Sequence, residues 1–185
     1  MTNDHIEKEQ LHEEKSDSKG GGSSKFSWKW TGLIALFIIL VGGYLLMKVN
    51  PPMEVTTIVS NEDNTSVVIG VGNTGFSAIT LKEVSVNNGD NPPEAKLQIT
   101  NPVQGFIVTE DFDSAEDEGY RFLNLDGEYI KTGTTFTESY DDETPVEEID
   151  MFGVSINHDK PIHTVQIKYS HFGISYEETV EIAGN

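Results

Sequence analysis

Ser66-Val67-Val68-Ile69-Gly70-Val71, then Gly72-Asn73-Thr74-Gly75, then Ile79 to Val86 read together as strand, turn and strand. The first run is dense in β-branched residues, which fit a pleated, half-buried surface. The Gly-Asn-Thr-Gly cluster carries the residues that turns require. In the third run Ile79, Leu81, Val84 and Val86 are apolar, and the alternation slips once between Leu81 and Val84. A β-bulge absorbs such a slip.

The same pattern continues in both directions. Upstream, Glu54–Ser60 is rich in Val, Ile and Thr. Downstream, Ala95, Leu97 and Ile99 alternate with Lys96, Gln98 and Thr100. Further strands are expected at 106–109, 120–125, 128–132, 151–156, 164–169 and 174–182. Asp126-Gly127 is expected to close a type I′ hairpin. In the last run Ile174, Tyr176, Thr179 or Val180, and Ile182 form the expected buried set. Nine or ten short strands with turn residues between them, and no amphipathic helix, predict an all-β sandwich of two sheets. Residues 67–86 resemble, in a general way, the Ig-like sandwiches of bacterial cell surfaces. The resemblance implies an Ig-like β-sandwich and no particular activity.

Outward from the strands toward the N-terminus, the chain changes character. Trp30 to Met47 contains no charged residue over 18 positions. As a helix this run covers about 27 Å, enough for the hydrocarbon core of a bilayer. Trp28, Trp30 and Tyr44 supply interfacial rings, and Lys29 and Lys48 supply snorkelling cations. The segment 26–48 is therefore expected to be a single transmembrane helix. Val49-Asn50-Pro51-Pro52 ends it, because proline cannot continue the hydrogen-bond ladder. Residues 1–25 are charged and polar, closing in Gly20-Gly21-Gly22-Ser23-Ser24, and read as a disordered tail with a flexible linker. Lys15, Lys19, Lys25 and Lys29 precede the span, whereas only Lys48 closely follows it. Basic flanks stay cytoplasmic, so the tail is expected in the cytoplasm and residues 53–185 outside the cell membrane. The acidic n-region and the missing Ala-x-Ala site favour an uncleaved signal anchor over a signal peptide.

The formal charge is −19. Residues 1–48 balance six Lys against six acids, so the excess lies in residues 49–185, with 25 acidic and six basic side chains. Such a domain repels nucleic-acid phosphate and anionic lipid head groups. The expected partners are the lipid bilayer, through the anchor, and a protein of the cell envelope. Nucleic acid is not expected. There is no cysteine, which removes disulfides, thiolate metal sites and thiol nucleophiles.

Two acidic runs are the candidates for chemistry. Residues 110–118 hold six carboxylates in nine positions, and closely spaced carboxylates suit Ca²⁺. Asp111, Asp113 and Asp117 are the candidates for metal ligands. The EF-hand pattern fails, since Ala115 supplies no oxygen and Glu116 stands where Gly is needed. The simplest reading of this run, and of 138–150, is a solvated loop. His158, His163 and His171 read as surface histidines. No nucleophile elbow, zincin, phosphate-loop or dinucleotide motif is present. The expectation is a non-enzymatic binding or scaffolding domain without a cofactor. Its competitors are a cation-binding or envelope-sensing module using the acidic loops, and a hydrolase with an unrecognised carboxylate pair.

Overall fold

The computed structural model describes residues 28–134 and 145–183. The predicted tail at 1–25 and much of the acidic run at 138–150 lie outside the described residues. The chain divides into two compact units, one ending at Val41 and the other running from Gly42.

A helix, α1 (Trp28–Val49), comes first. None of its residues is buried. Its C-terminus is closed by Asn50, whose side-chain amide donates to Leu46 O at 2.8 Å. That contact satisfies one of the carbonyls left free at a helix end, and Pro51 then blocks continuation.

The rest is mostly β-sheet, in strands β1 (Met53–Ser60), β2 (Ser66–Asn73), β3 (Ile79–Val86), β4 (Glu94–Thr100), β5 (Arg121–Asn124), β6 (Tyr129–Ile130), β7 (Met151–Asn157), β8 (Thr164–His171) and β9 (Ile174–Glu181). One antiparallel sheet runs β1-β2-β7-β4-β5 and the other β6-β3-β8-β9. Val67, Ile69, Leu97, Val154 and Ile156 from the first sheet share a buried cluster with Leu81, Val86, Val165, Ile167 and Tyr169 from the second. The period-2 alternation of these residues aims them at that common core. The slip between Leu81 and Glu83 is a register shift in the β3–β8 ladder, as the broken alternation predicts. In β9, Tyr176 and Val180 are buried, Ile174 is half-buried and Thr179 is exposed, and Ile182, just past the end of the strand, is buried.

Three local expectations are corrected. Residues 106–109 form no strand. They belong to a strap, residues 101–120, that crosses the outer face of the five-stranded sheet. The Phe106 ring lies over Gly70 and Gly153, and these two glycines pair directly in β2 and β7. An aromatic ring fills the slot that two missing side chains leave. The acidic run at 110–118 is not a simple loop either. It holds a short helix, α2 (Phe112–Asp117), with Phe112 and Ala115 buried against Phe122. Finally, Asp126-Gly127 makes no type I′ hairpin. Gly127 has φ +82°, Asp126 is not in the left-handed region, and a type I′ turn needs both residues there. The turn is closed by Glu128 N donating to Leu125 O at 3.2 Å. It passes the chain from β5 in one sheet to β6 in the other. The hairpin of that type joins β8 and β9 instead, where Phe172 (φ +53°) and Gly173 (φ +75°) separate the paired residues His171 and Ile174.

Candidate functional site

Asp111, the first of the predicted metal ligands, is the N-cap of α2. Its Oδ1 accepts from the backbone amides of Asp113 and Ser114, both at 3.1 Å, and its Oδ2 accepts from the Ser114 hydroxyl at 2.6 Å. The Ser114 hydroxyl, then the Ser114 and Asp113 amides, hold this carboxyl below the usual carboxylate range. Both oxygens are thus engaged within the chain. Asp113 lies in the first turn of α2 and Asp117 at its end. Among the described residues, no three carboxylate or imidazole groups come close enough to share a metal ion.

Two other places gather chemistry, both within the unit that begins at Gly42. The first is an apolar cleft of about 330 Å³ where the end of α1 meets the strands. Leu46 and Met47 line it together with Pro52, Phe76, His171 and Tyr176. Tyr176 Oη donates to Met47 O at 2.9 Å, and Lys48 Nζ donates to Ser175 O at 2.6 Å. The Lys48 ammonium also lies 5.3 Å from the centre of the Tyr176 ring, a cation–π distance. Tyr176 in turn stacks on Tyr169 at 5.2 Å. Burial pushes the Tyr176 phenol up, and that of Tyr169 up to about 12. Beside the cleft, Phe76 and Phe172 are 69% and 63% exposed, with ring centres 4.9 Å apart. Of the three expected surface histidines, His163 is exposed, but the His158 side chain is buried and so is His171. His171 is 3% exposed and packs edge-on against Phe76 at 5.1 Å.

The second place lies at the opposite end of the strands. Ser66 and Asn73 bound β2, and seven steps of roughly 3.3 Å put that end about 23 Å from the turn after Asn73. There Glu94 pairs with Asn157, and Asn157 pairs with Ser66. Their neighbours Ala95, Ile156 and Val67 pack into the core. By alternation, Glu94, Asn157 and Ser66 therefore form one row on the outer face. Glu110 arrives from the strap, accepting from Asn61 Nδ2 at 3.3 Å. His158 and Asp159 arrive from the loop after β7. These residues line a cleft of about 520 Å³. Ser66 is 1% exposed, and neither its hydroxyl nor either polar atom of the Asn157 side chain has a hydrogen-bond partner. His158 Nδ1 is occupied, accepting from Lys160 N at 3.0 Å.

No protein-family model, no curated protein and no solved structure matches this chain. The row Glu94–Asn157–Ser66 was beyond sequence reasoning because it needs the register of three strands. The one signal available was the alternation of β4, which puts Glu94 on the polar face.

Proposed function

We propose that this chain is a single-pass protein of the cell membrane, with a cytoplasmic N-terminus and an Ig-like β-sandwich held against the outer surface as a non-enzymatic binding or scaffolding module. The observation that carries the reading is α1 itself. It is 22 residues long, and Leu33, Phe37, Ile39, Leu40 and Leu46 are all more than half exposed. An apolar helix with no protein around it is stable where the surroundings are themselves apolar. Among the described residues it is the one helix long and apolar enough to cross a membrane.

The junction supports a domain close to the membrane. Tyr176 and Lys48 tie the last turn of α1 to β9, so the sandwich begins where the span ends. Phe76 shares a cleft with Leu46 and Met47. That shared cleft supports a position for Phe76, and for Phe172 beside it, near the membrane surface at the Leu46–Met47 end of the span. Exposed aromatic rings are favourable at that level. The lysines before Trp30 support a cytoplasmic tail. An Ig-like arrangement is supported by strand order: β1-β2-β7-β4 against β3-β8-β9 follows the A-B-E-D against C-F-G order of immunoglobulin constant-type sandwiches. The strands β5 and β6 are additional to that order.

Replacing Leu36 and Ile39 with Arg tests the anchor. Each charge near the bilayer centre costs about 2.5–3.5 kcal/mol on insertion scales, and the protein should leave the membrane fraction. Retention through an alkaline wash would show that α1 does not span. A reporter active only outside the cytoplasm should work after Asn185 and be silent before Trp28. The reverse pattern would invert the topology.

A further inference from the structure

We propose that the cleft formed by Ser66, Asn157, Glu94, Glu110 and Asp159 binds a lysine or arginine side chain presented by a basic segment of a partner protein. The inference rests on the binding role proposed above and names the partner's chemistry.

Three observations converge. The floor is polar and unpartnered. The Ser66 hydroxyl and both ends of the Asn157 amide are buried without a hydrogen bond, although such groups are ordinarily satisfied. Leaving them unmade is costly, so a ligand that supplies donors and acceptors there gains more than one meeting a hydrated surface. Apart from His158, which lies 3.4 Å from Asp159, the ionisable groups of the walls are acidic. Glu94, Glu110 and Asp159 line the cleft, and no Lys or Arg does. Their carboxylates are too dispersed to share one metal ion. These acceptors suit a multi-donor cation. A guanidinium has five N–H donors in a planar fork and an ammonium has three, and neither is an acceptor. The Asn157 and Ser66 oxygens and the carboxylates are acceptors, while the Asn157 NH₂ remains for a backbone carbonyl of the same segment. The placement is also suitable. The cleft sits at the end of the strands opposite the one that packs on Leu46 and Met47, where a membrane-held domain is open to partners. The acidic excess of residues 49–185 would steer a basic segment toward it.

The test uses the full chain in detergent micelles, so its outcome does not depend on topology. The probe is acetyl-triarginine amide, with acetyl-tricitrulline amide as the uncharged isostere, followed by calorimetry at fixed ionic strength. Triarginine should bind and tricitrulline should bind at least about tenfold more weakly, as loss of charge-assisted hydrogen bonds predicts. Asn157→Ala, which leaves net charge unchanged, should weaken triarginine about fivefold. Ser66→Ala repeats that measurement should Asn157→Ala fail to fold. Glu94→Gln with Glu110→Gln should weaken it about tenfold. Glu177→Gln with Glu181→Gln, an equal charge change on exposed positions of β9, should leave it within about twofold. Equal losses from the two double variants would overturn the proposal, because they would mean a diffuse acidic field. So would binding indifferent to both Asn157→Ala and Ser66→Ala, no binding of triarginine, or tighter binding of a neutral oligosaccharide. Any of these results alongside correct reporter topology would refute the cleft and leave the anchored reading standing.

Discussion

Gly70 and Gly153 face one another across β2 and β7, and neither has room for a methyl group. A Cβ on Gly153 would meet Phe106 Cε1 at 2.7 Å, and one on Gly70 would meet Thr56 Oγ1 at 2.7 Å. The two glycines let the strap lie flat on the sheet, with Phe106 as its anchor. This is why β2 and β7 are buried on both faces, Val68 included. Gly153→Ala should therefore destabilise the domain by about 1–3 kcal/mol through overpacking. Phe106→Leu in the same chain should recover part of that loss, because the two sites share one contact. Thermal unfolding of the four chains of this cycle measures it. Strict additivity would mean that the ring and the glycine do not constrain each other.

Tyr169 makes a prediction in the alkaline range. It is 1% exposed, and burial raises its phenol to about 12 in the folded protein, against about 10 in an unfolded chain. A raised pKa means that folding favours the protonated form. Its contribution is complete below pH 10 and is lost as pH rises through 12. At about 1.36 kcal/mol per unit, the full loss is about 2–3 kcal/mol. Tyr169→Phe keeps the ring that stacks on Tyr176 and removes the titration. The variant should resist unfolding between pH 10 and 12 better than the parent. Identical alkaline midpoints would show that another group controls the transition.

Asp111 titrates with the opposite sign. Its carboxyl is held low by the Ser114 hydroxyl and by the amides it caps. The ionised form is favoured by folding, so its contribution is present above the unfolded carboxylate range and lost as pH falls below about 4. Asp111→Ala should loosen α2 at neutral pH, and Asp111→Asn should largely preserve the cap. Hydrogen exchange at Asp113 and Ser114 reports this directly. Because both carboxylate oxygens are engaged, Ca²⁺ at matched ionic strength should not raise the melting temperature of the full chain. A saturable shift, abolished by Asn at Asp111, Asp113 and Asp117 together, would restore the cation-binding reading.

What the sequence disclosed was whatever a local period encodes. The alternations of Ile79–Val86 and Ala95–Ile99 gave two strands, and the interruption in the first located its register shift. The uncharged run from Trp30 to Met47 gave α1. Contacts between distant residues stayed hidden. Phe106 lies in a run that reads as a strand, and its role depends on glycines in two other strands. Asp126-Gly127 has the composition of a hairpin, yet the flanking strands belong to different sheets. Phe172-Gly173 lacks that composition, and the β8–β9 register imposes the turn regardless. The candidate cleft was hidden for the same reason. Asn157, Ser66 and Glu94 are ordinary polar residues until three strands are aligned.

Phe172 offers the sharpest test of the proposed position of the domain beside a membrane. A bulky residue at φ +53° is an outlier that Asn or Gly would occupy more easily, at a cost of order 1–3 kcal/mol. Its exposed ring lies against Phe76, beside the end of α1. Phe172→Asn should therefore raise the melting temperature in detergent, because it relieves the turn and removes an exposed ring. In vesicles the ring should have a lipid contact that the detergent-stabilised variant lacks. A chain with Trp28→Phe and Trp30→Phe, and a single tryptophan introduced by Phe76→Trp, reads that contact through quenching by lipids brominated along the acyl chain. Quenching should be strongest for bromines near the head group and should weaken when Phe172→Asn is added. Tryptophan emission typical of water, unaffected by brominated lipid, would mean that this face of the domain stands clear of the bilayer. The aromatic pair would then have to be explained by a protein partner.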